Sequence, residues 1–233
     1  MPQPIDTTST RSAGQNRLGW RQFAIWVVAT IVGGPIVYLL PQQALALVDG
    51  ESWLLVAIWS VAGLVFGALA GTIVGLLQRL ALRGSVQWAD KWVSGTVIGW
   101  AIGGAILMAL TNVSYTASID NSNNILTMWI GTMAWFALGV GIGLGQWLVL
   151  RQHLRRAGWW VVATALGWGL SVVVILIAIQ NATQLIEAGG MIGVAAVLLI
   201  VGPGVSSIPG IVTGLILNVL ISQNNLSTNR YYP

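Results

Sequence analysis

Charge is what this sequence has least of. Its 233 residues carry ten basic and six acidic side chains, 7% in all, against roughly a quarter in a soluble domain, so a water-soluble globule is excluded. Cysteine is absent, which removes disulfides, thiolate metal sites and cysteine nucleophiles. The single histidine, His153, lies in the basic stretch Arg151-Gln-His153-Leu-Arg155-Arg156 with no carboxylate or thiol beside it. It reads as a solvated or headgroup-level residue, and no metal site is expected. No apolar run carries an ionisable residue at its middle, where proton relays and ion pathways place theirs. A base and nucleophile within reach of one another are likewise missing, so no catalytic residue is assigned. The net charge of +4 does not point to nucleic acid, because the basic residues flank apolar runs.

What remains is apolar. Hydrophobic residues make up 56%, and charge-free runs cover 22–48, 52–78, 92–119, 121–150, 157–186 and 188–229. Each exceeds the roughly 18 residues needed to cross a bilayer, and their continuity excludes the short alternating segments of a β-barrel. The expected fold class is all-α integral membrane, with helices at about 22–41, 53–82, 92–112, 125–150, 157–180 and 190–222. A tail (1–21), a six-helix domain (22–222) and a second tail (223–233) follow. Basic residues sit in the tails (Arg11, Arg17, Arg21, Arg230) and in the second and fourth connections (Arg79, Arg83, Lys91, Arg151, Arg155, Arg156), whereas connections 42–52, 113–124 and 181–189 hold only Asp49, Glu51, Asp120 and Glu187. Basic residues favour the cytoplasmic side, so both termini are expected there. Ala44-Leu45-Ala46 imitates a signal-peptidase site, but the apolar run before it is too long for a signal peptide. Gly202-Pro203-Gly204 and Pro209-Gly210 could split the last span into half-helices; one bent helix is the favoured alternative.

The odd helices share W-V-x-[AG]-T-x-x-G: Trp26 to Thr30 and Gly33, Trp92 to Thr96 and Gly99, Trp160 to Thr164 and Gly167. The even helices answer with Gly71-x3-Gly75-x2-Gln78, Gly139-x3-Gly143-x2-Gln146, and Gly210-x3-Gly214 followed by Leu217. A helical hairpin is thus repeated three times, over about 22–83, 92–151 and 157–222. Hairpins that start on the same side are parallel, predicting a pseudo-threefold axis along the membrane normal. Small residues four apart let helix backbones approach in lipid, the role expected of these glycines. The threonines can bond back to carbonyls of their own helices.

Gln78 and Gln146, with Asn218 beside Leu217, are the candidate polar positions: ligands for a solute, headgroup or pigment if they face the axis, interhelical hydrogen bonds otherwise. Of 13 tryptophans, Trp20, Trp26, Trp88, Trp92, Trp147, Trp159 and Trp160 are expected in an aromatic belt at the cytoplasmic interface, with Trp53 and Trp129 at the opposite one. Trp100 and Trp168 lie deeper, in core packing or a ligand groove.

The tract Gly143-Leu-Gly-Gln-Trp-Leu-Val-Leu-Arg151, continued by His153 through Trp159-Trp160 to Trp168, resembles the GxxQWLVLR...GWW motif of uncharacterised multi-spanning membrane proteins of cyanobacteria and Chloroflexi. The likeness is best in the middle of the chain, and Gln78-Arg79 departs from its Gln-Trp pair. It implies a bacterial plasma or thylakoid membrane and supplies no activity or cofactor. The expected function is a non-catalytic accessory, assembly or scaffold component whose partners are membrane lipid and other transmembrane helices or a second copy. A passive facilitator of a small neutral or apolar solute, or a protein binding lipid or pigment, is the alternative.

Overall fold

In lipid or in a protein core an unpaired backbone group costs several kcal/mol, and an α-helix pairs its interior N–H and C=O groups within the run itself. The apolar runs accordingly fold as helices. The computed structural model describes the backbone of residues 18–45, 53–120 and 124–228, and the side chains of 18–36, 53–114, 129–174, 190 and 203–223. Four elements are simple: α1 (Trp20–Leu45), α2 (Trp53–Leu82), α3 (Ala89–Asp120) and α4 (Asn124–Leu150). The remaining stretch, Gly158–Thr228, is broken at Gly190, whose φ of 53° and ψ of −130° are non-helical and suit a residue without Cβ. Its two arms are α5 (158–189) and α6 (191–228). No strand occurs among the described residues.

Four helical stretches among the described residues are long and apolar enough to cross a membrane: Trp53–Leu82, Ala89–Ser114, Trp129–Leu150 and Pro203–Gln223. The described part of α5, Gly158–Val174, is apolar but shorter. The acidic connections around Asp49, Glu51, Asp120 and Glu187, the tails bearing Arg11, Arg17 and Arg230, and Ala46 of the cleavage-like site lie outside the described side chains.

The last helix continues through both of its prolines, because Gly190 is the one non-helical residue between Gly158 and Thr228. Pro209 has no N–H for the Val205 carbonyl. Ser171 of α5 replaces it, its hydroxyl donating to that carbonyl at 2.6 Å. The carbonyl that Pro209 leaves without its helical donor is thus satisfied by a neighbouring helix.

Consecutive helices pack side by side, and α6 returns to α1, so the bundle closes on itself. The turns at 83–88 and 151–157 lie at one end, where Trp88 meets His153 at a centroid distance of 5.9 Å. The same end holds the start of α1, since Gln22 donates to Ser85 and the Leu18 N–H to Asn218. Large aliphatic side chains such as Val61, Leu69, Leu76, Leu144, Leu166 and Leu215 point outward.

Small residues are spent inside. A Cβ on Gly99 would stand 2.7 Å from the Ile142 carbonyl oxygen, and one on Gly95 2.8 Å from that of Gly145. Gly71 and Gly139 face Val97 and Ala165 with Cβ positions 2.8 Å from their Cα atoms, and Gly167 approaches Pro209 as closely. Gly33 lies against Val74 and Trp100.

The aromatic expectation needs correction. Trp20, Trp53, Trp129 and Trp159 are exposed, as a belt requires, but Trp26, Trp92 and Trp160 are completely buried and Trp88 nearly so. His153, expected to be solvated or at headgroup level, is half-buried in the turn. Its Nδ1 lies 3.0 Å from the Val149 carbonyl.

Candidate functional site

Two apolar cores occupy the bundle. One, nearer the basic turns, gathers Leu82, Leu150 and Leu217 with Trp26, Trp92 and Trp160. The other is built on Val74, Trp100, Leu138, Ile142 and Trp168. Between them runs a belt of buried polar side chains: Thr30, Gln78, Thr96, Gln146, Thr164 and Thr213. One helical turn, about 5–6 Å of rise, separates Trp92 from Thr96 and Thr96 from Trp100, so the layers stack directly.

Trp26, Trp92 and Trp160 touch one another pairwise, with centroids 5.4, 5.7 and 5.9 Å apart and rings tilted or edge-on, the arrangement that aromatic quadrupoles favour. The three indoles fill the centre of the bundle. Trp100 and Trp168 meet edge-on at 5.4 Å one layer deeper, and Trp135 stacks on Trp168 at 5.8 Å.

Each of the three indole N–H groups has an acceptor on an even helix. Trp92 donates to the Gln78 carbonyl oxygen at 2.9 Å, and Trp160 to that of Gln146 at 3.0 Å. Trp26 donates to the Thr213 hydroxyl at 3.1 Å. The glutamine amides reach onward to the preceding odd helix, Gln146 to the Thr96 hydroxyl at 3.2 Å and Gln78 to Thr30 at 3.4 Å. Thr30, Thr96 and Thr164 donate back to the Trp26, Trp92 and Trp160 carbonyls. By length the indole bonds are the firm members and the amide bonds weak. The belt therefore latches α1, α2, α3, α4, α5 and α6 in turn, with one discontinuity: Thr213 spends its proton on the Pro209 carbonyl at 2.6 Å and donates nothing to Thr164.

The sequence paired Gly214 with Gly75 and Gly143, and left Leu217 at the glutamine position. The contacts shift that register by four residues. A Cβ on Gly75 would lie 3.2 Å from the Val93 Cα and 3.3 Å from the Thr96 Cβ; on Gly143, 2.9 and 3.2 Å from Val161 and Thr164; on Gly210, 3.1 and 3.2 Å from Val27 and Thr30. Gly210 thus matches Gly75 and Gly143, Leu217 matches Leu82 and Leu150, and Thr213 matches Gln78 and Gln146. The missed signal is glycine, two residues, then a polar side chain, with leucine four positions further. Gly214 packs instead on Phe23 and Trp26.

Gln78 and Gln146 are brought to the central belt, and Asn218 is not. It stands at the turn end, where its side-chain oxygen accepts the Leu18 N–H at 2.7 Å. A cavity of about 10 Å³ opens beside the belt, with Thr30, Gln78, Gln146, Thr164 and Thr213 as its polar wall and Trp26, Trp100, Trp168, Ile142 and Pro209 as the rest. No group of three or more histidine or acidic residues able to hold a metal occurs among the described residues. No protein-family model, curated protein or solved structure matches the chain.

Proposed function

We propose that this chain is a non-catalytic integral membrane scaffold: six spans in three parallel helical hairpins around a pseudo-threefold axis, acting through its outer surface as an accessory or assembly component of a membrane complex. The observation that carries this is the mutually packed, fully buried Trp26–Trp92–Trp160 layer. Three indoles on the axis leave a solute no path, and their N–H groups are satisfied inside the chain, so recognition falls to the exterior. The glycine faces expected to bind partners are consumed within the bundle. Docking then rests on the aliphatic outer faces, against lipid and against helices of another subunit or a second copy. Basic turns gathered at one end favour cytoplasmic termini, and the tract resembling cyanobacterial and Chloroflexi proteins favours a bacterial plasma or thylakoid membrane.

Purification in mild detergent followed by mass measurement tests the scaffold role. A mass above that of one chain is expected, and a solitary monomer contradicts it. The facilitator alternative makes a different claim, that the belt is wet. Gln78→Cys and Gln146→Cys should resist aqueous thiol reagents in membranes; ready labelling of both would replace the scaffold with a solute path.

A further inference from the structure

We infer that the central cavity is a binding site for one water molecule, which takes the place of the amide that the third hairpin lacks. The inference rests on the three-hairpin arrangement only for the register that equates Thr213 with Gln78 and Gln146. At the first two positions a glutamine amide bridges an indole on one helix and a threonine hydroxyl on another. At the third, Thr213 meets the indole of Trp26 but is too short to carry a donor to Thr164. Thr164 donates to the Trp160 carbonyl and keeps acceptor capacity on its hydroxyl. Both threonines line the cavity, whose volume of about 10 Å³ is about one water sphere, the least that can hold a water.

The chemistry of the wall selects water over the alternatives. Thr164 and Thr213 hydroxyl oxygens can each accept a proton, while each glutamine amide has two N–H groups and uses one in the bond named above. A ligand there must both donate and accept. A cation would face amide hydrogens and only neutral oxygens, and an apolar atom would leave the Thr164 lone pair unpaired. Water donates to Thr164 and Thr213 and accepts from an amide, within the two to four bonds a buried water makes.

A structure of the full chain in lipid nanodiscs, at a resolution that shows ordered water, is the test. A single density peak 2.7–3.2 Å from both Thr164 Oγ1 and Thr213 Oγ1 is expected, and Thr213→Gln should abolish it by placing an amide there. A void without density, or a peak at shorter cation-like distances, overturns the proposal while Thr213 still faces Trp26. Thr213 found away from Trp26 would instead overturn the hairpin register. Should the Thr213→Gln protein not fold, the wild-type density decides alone.

Discussion

At the scale of single residues, the belt is where this protein spends polarity. An indole N–H left without a partner in an apolar interior costs about 1–3 kcal/mol, although hydrogen bonds between transmembrane helices average nearer 0.6 kcal/mol. Gln78→Leu removes the acceptor of Trp92 and the donor to Thr30 together, and Gln146→Leu does the same for Trp160 and Thr96. Each should lower the unfolding free energy in detergent by about 1–3 kcal/mol. Combining Gln78→Leu with Trp92→Phe should cost less than the sum, with a coupling of at least about 0.5 kcal/mol because the pair shares one bond. Strict additivity in that cycle, read by thermal or denaturant unfolding, would show that the bond contributes nothing. By contrast the Arg79–Asp90 ion pair, at 2.6 Å but exposed on both sides, should matter by less than about 1 kcal/mol and less still in salt.

Among elements, glycine sets how closely neighbours lie. Where α3 meets α4, a Cβ on Gly145 would come within 2.5 Å of the Gly99 Cα and N, atoms of rigid backbone that cannot move aside. Gly145→Ala should therefore destabilise by about 1–3 kcal/mol or more through overpacking. Gly131→Ala, on the same helix with nothing within 4 Å of the added carbon, should be neutral or stabilising by up to about 1 kcal/mol from helix propensity. Equal loss in both variants would refute the close-packing account. Gly190→Ala tests the break between α5 and α6, since φ 53° and ψ −130° cost a residue with Cβ about 1–3 kcal/mol. The elements were legible in the sequence because charge-free length and G-x3-G spacing are physical requirements of helices packed in an apolar medium. Two things were not. Gly210-x3-Gly214 imitates the spacing of Gly71/Gly75 and of Gly139/Gly143, and a threonine at 213, where Gln78 and Gln146 stand in the matching contacts, hid the likeness between Gly210, Gly75 and Gly143. Trp26, Trp92 and Trp160 look like interfacial anchors along one dimension, and only the partners Thr213, Gln78 and Gln146, distant in sequence, draw them to the centre.

On the scale of the whole molecule, the bundle is closed: the polar groups of the belt answer one another inside, and aliphatic side chains face out. The turns at 83–88 and 151–157, which carry the basic residues Arg83, Arg151, Arg155 and Arg156, lie at one end of the bundle, where Trp88 meets His153; the proposed hairpins would all start from that end. The chain has no cysteine of its own, so single introduced thiols report cleanly. Labelling of Arg83→Cys, Arg156→Cys and Asp120→Cys by a membrane-impermeant reagent in sealed vesicles is the most direct measurement. Positions 83 and 156 should react from one face and position 120 from the other; reaction of 83 and 156 from opposite faces would contradict the bundle, and with it the scaffold built on it.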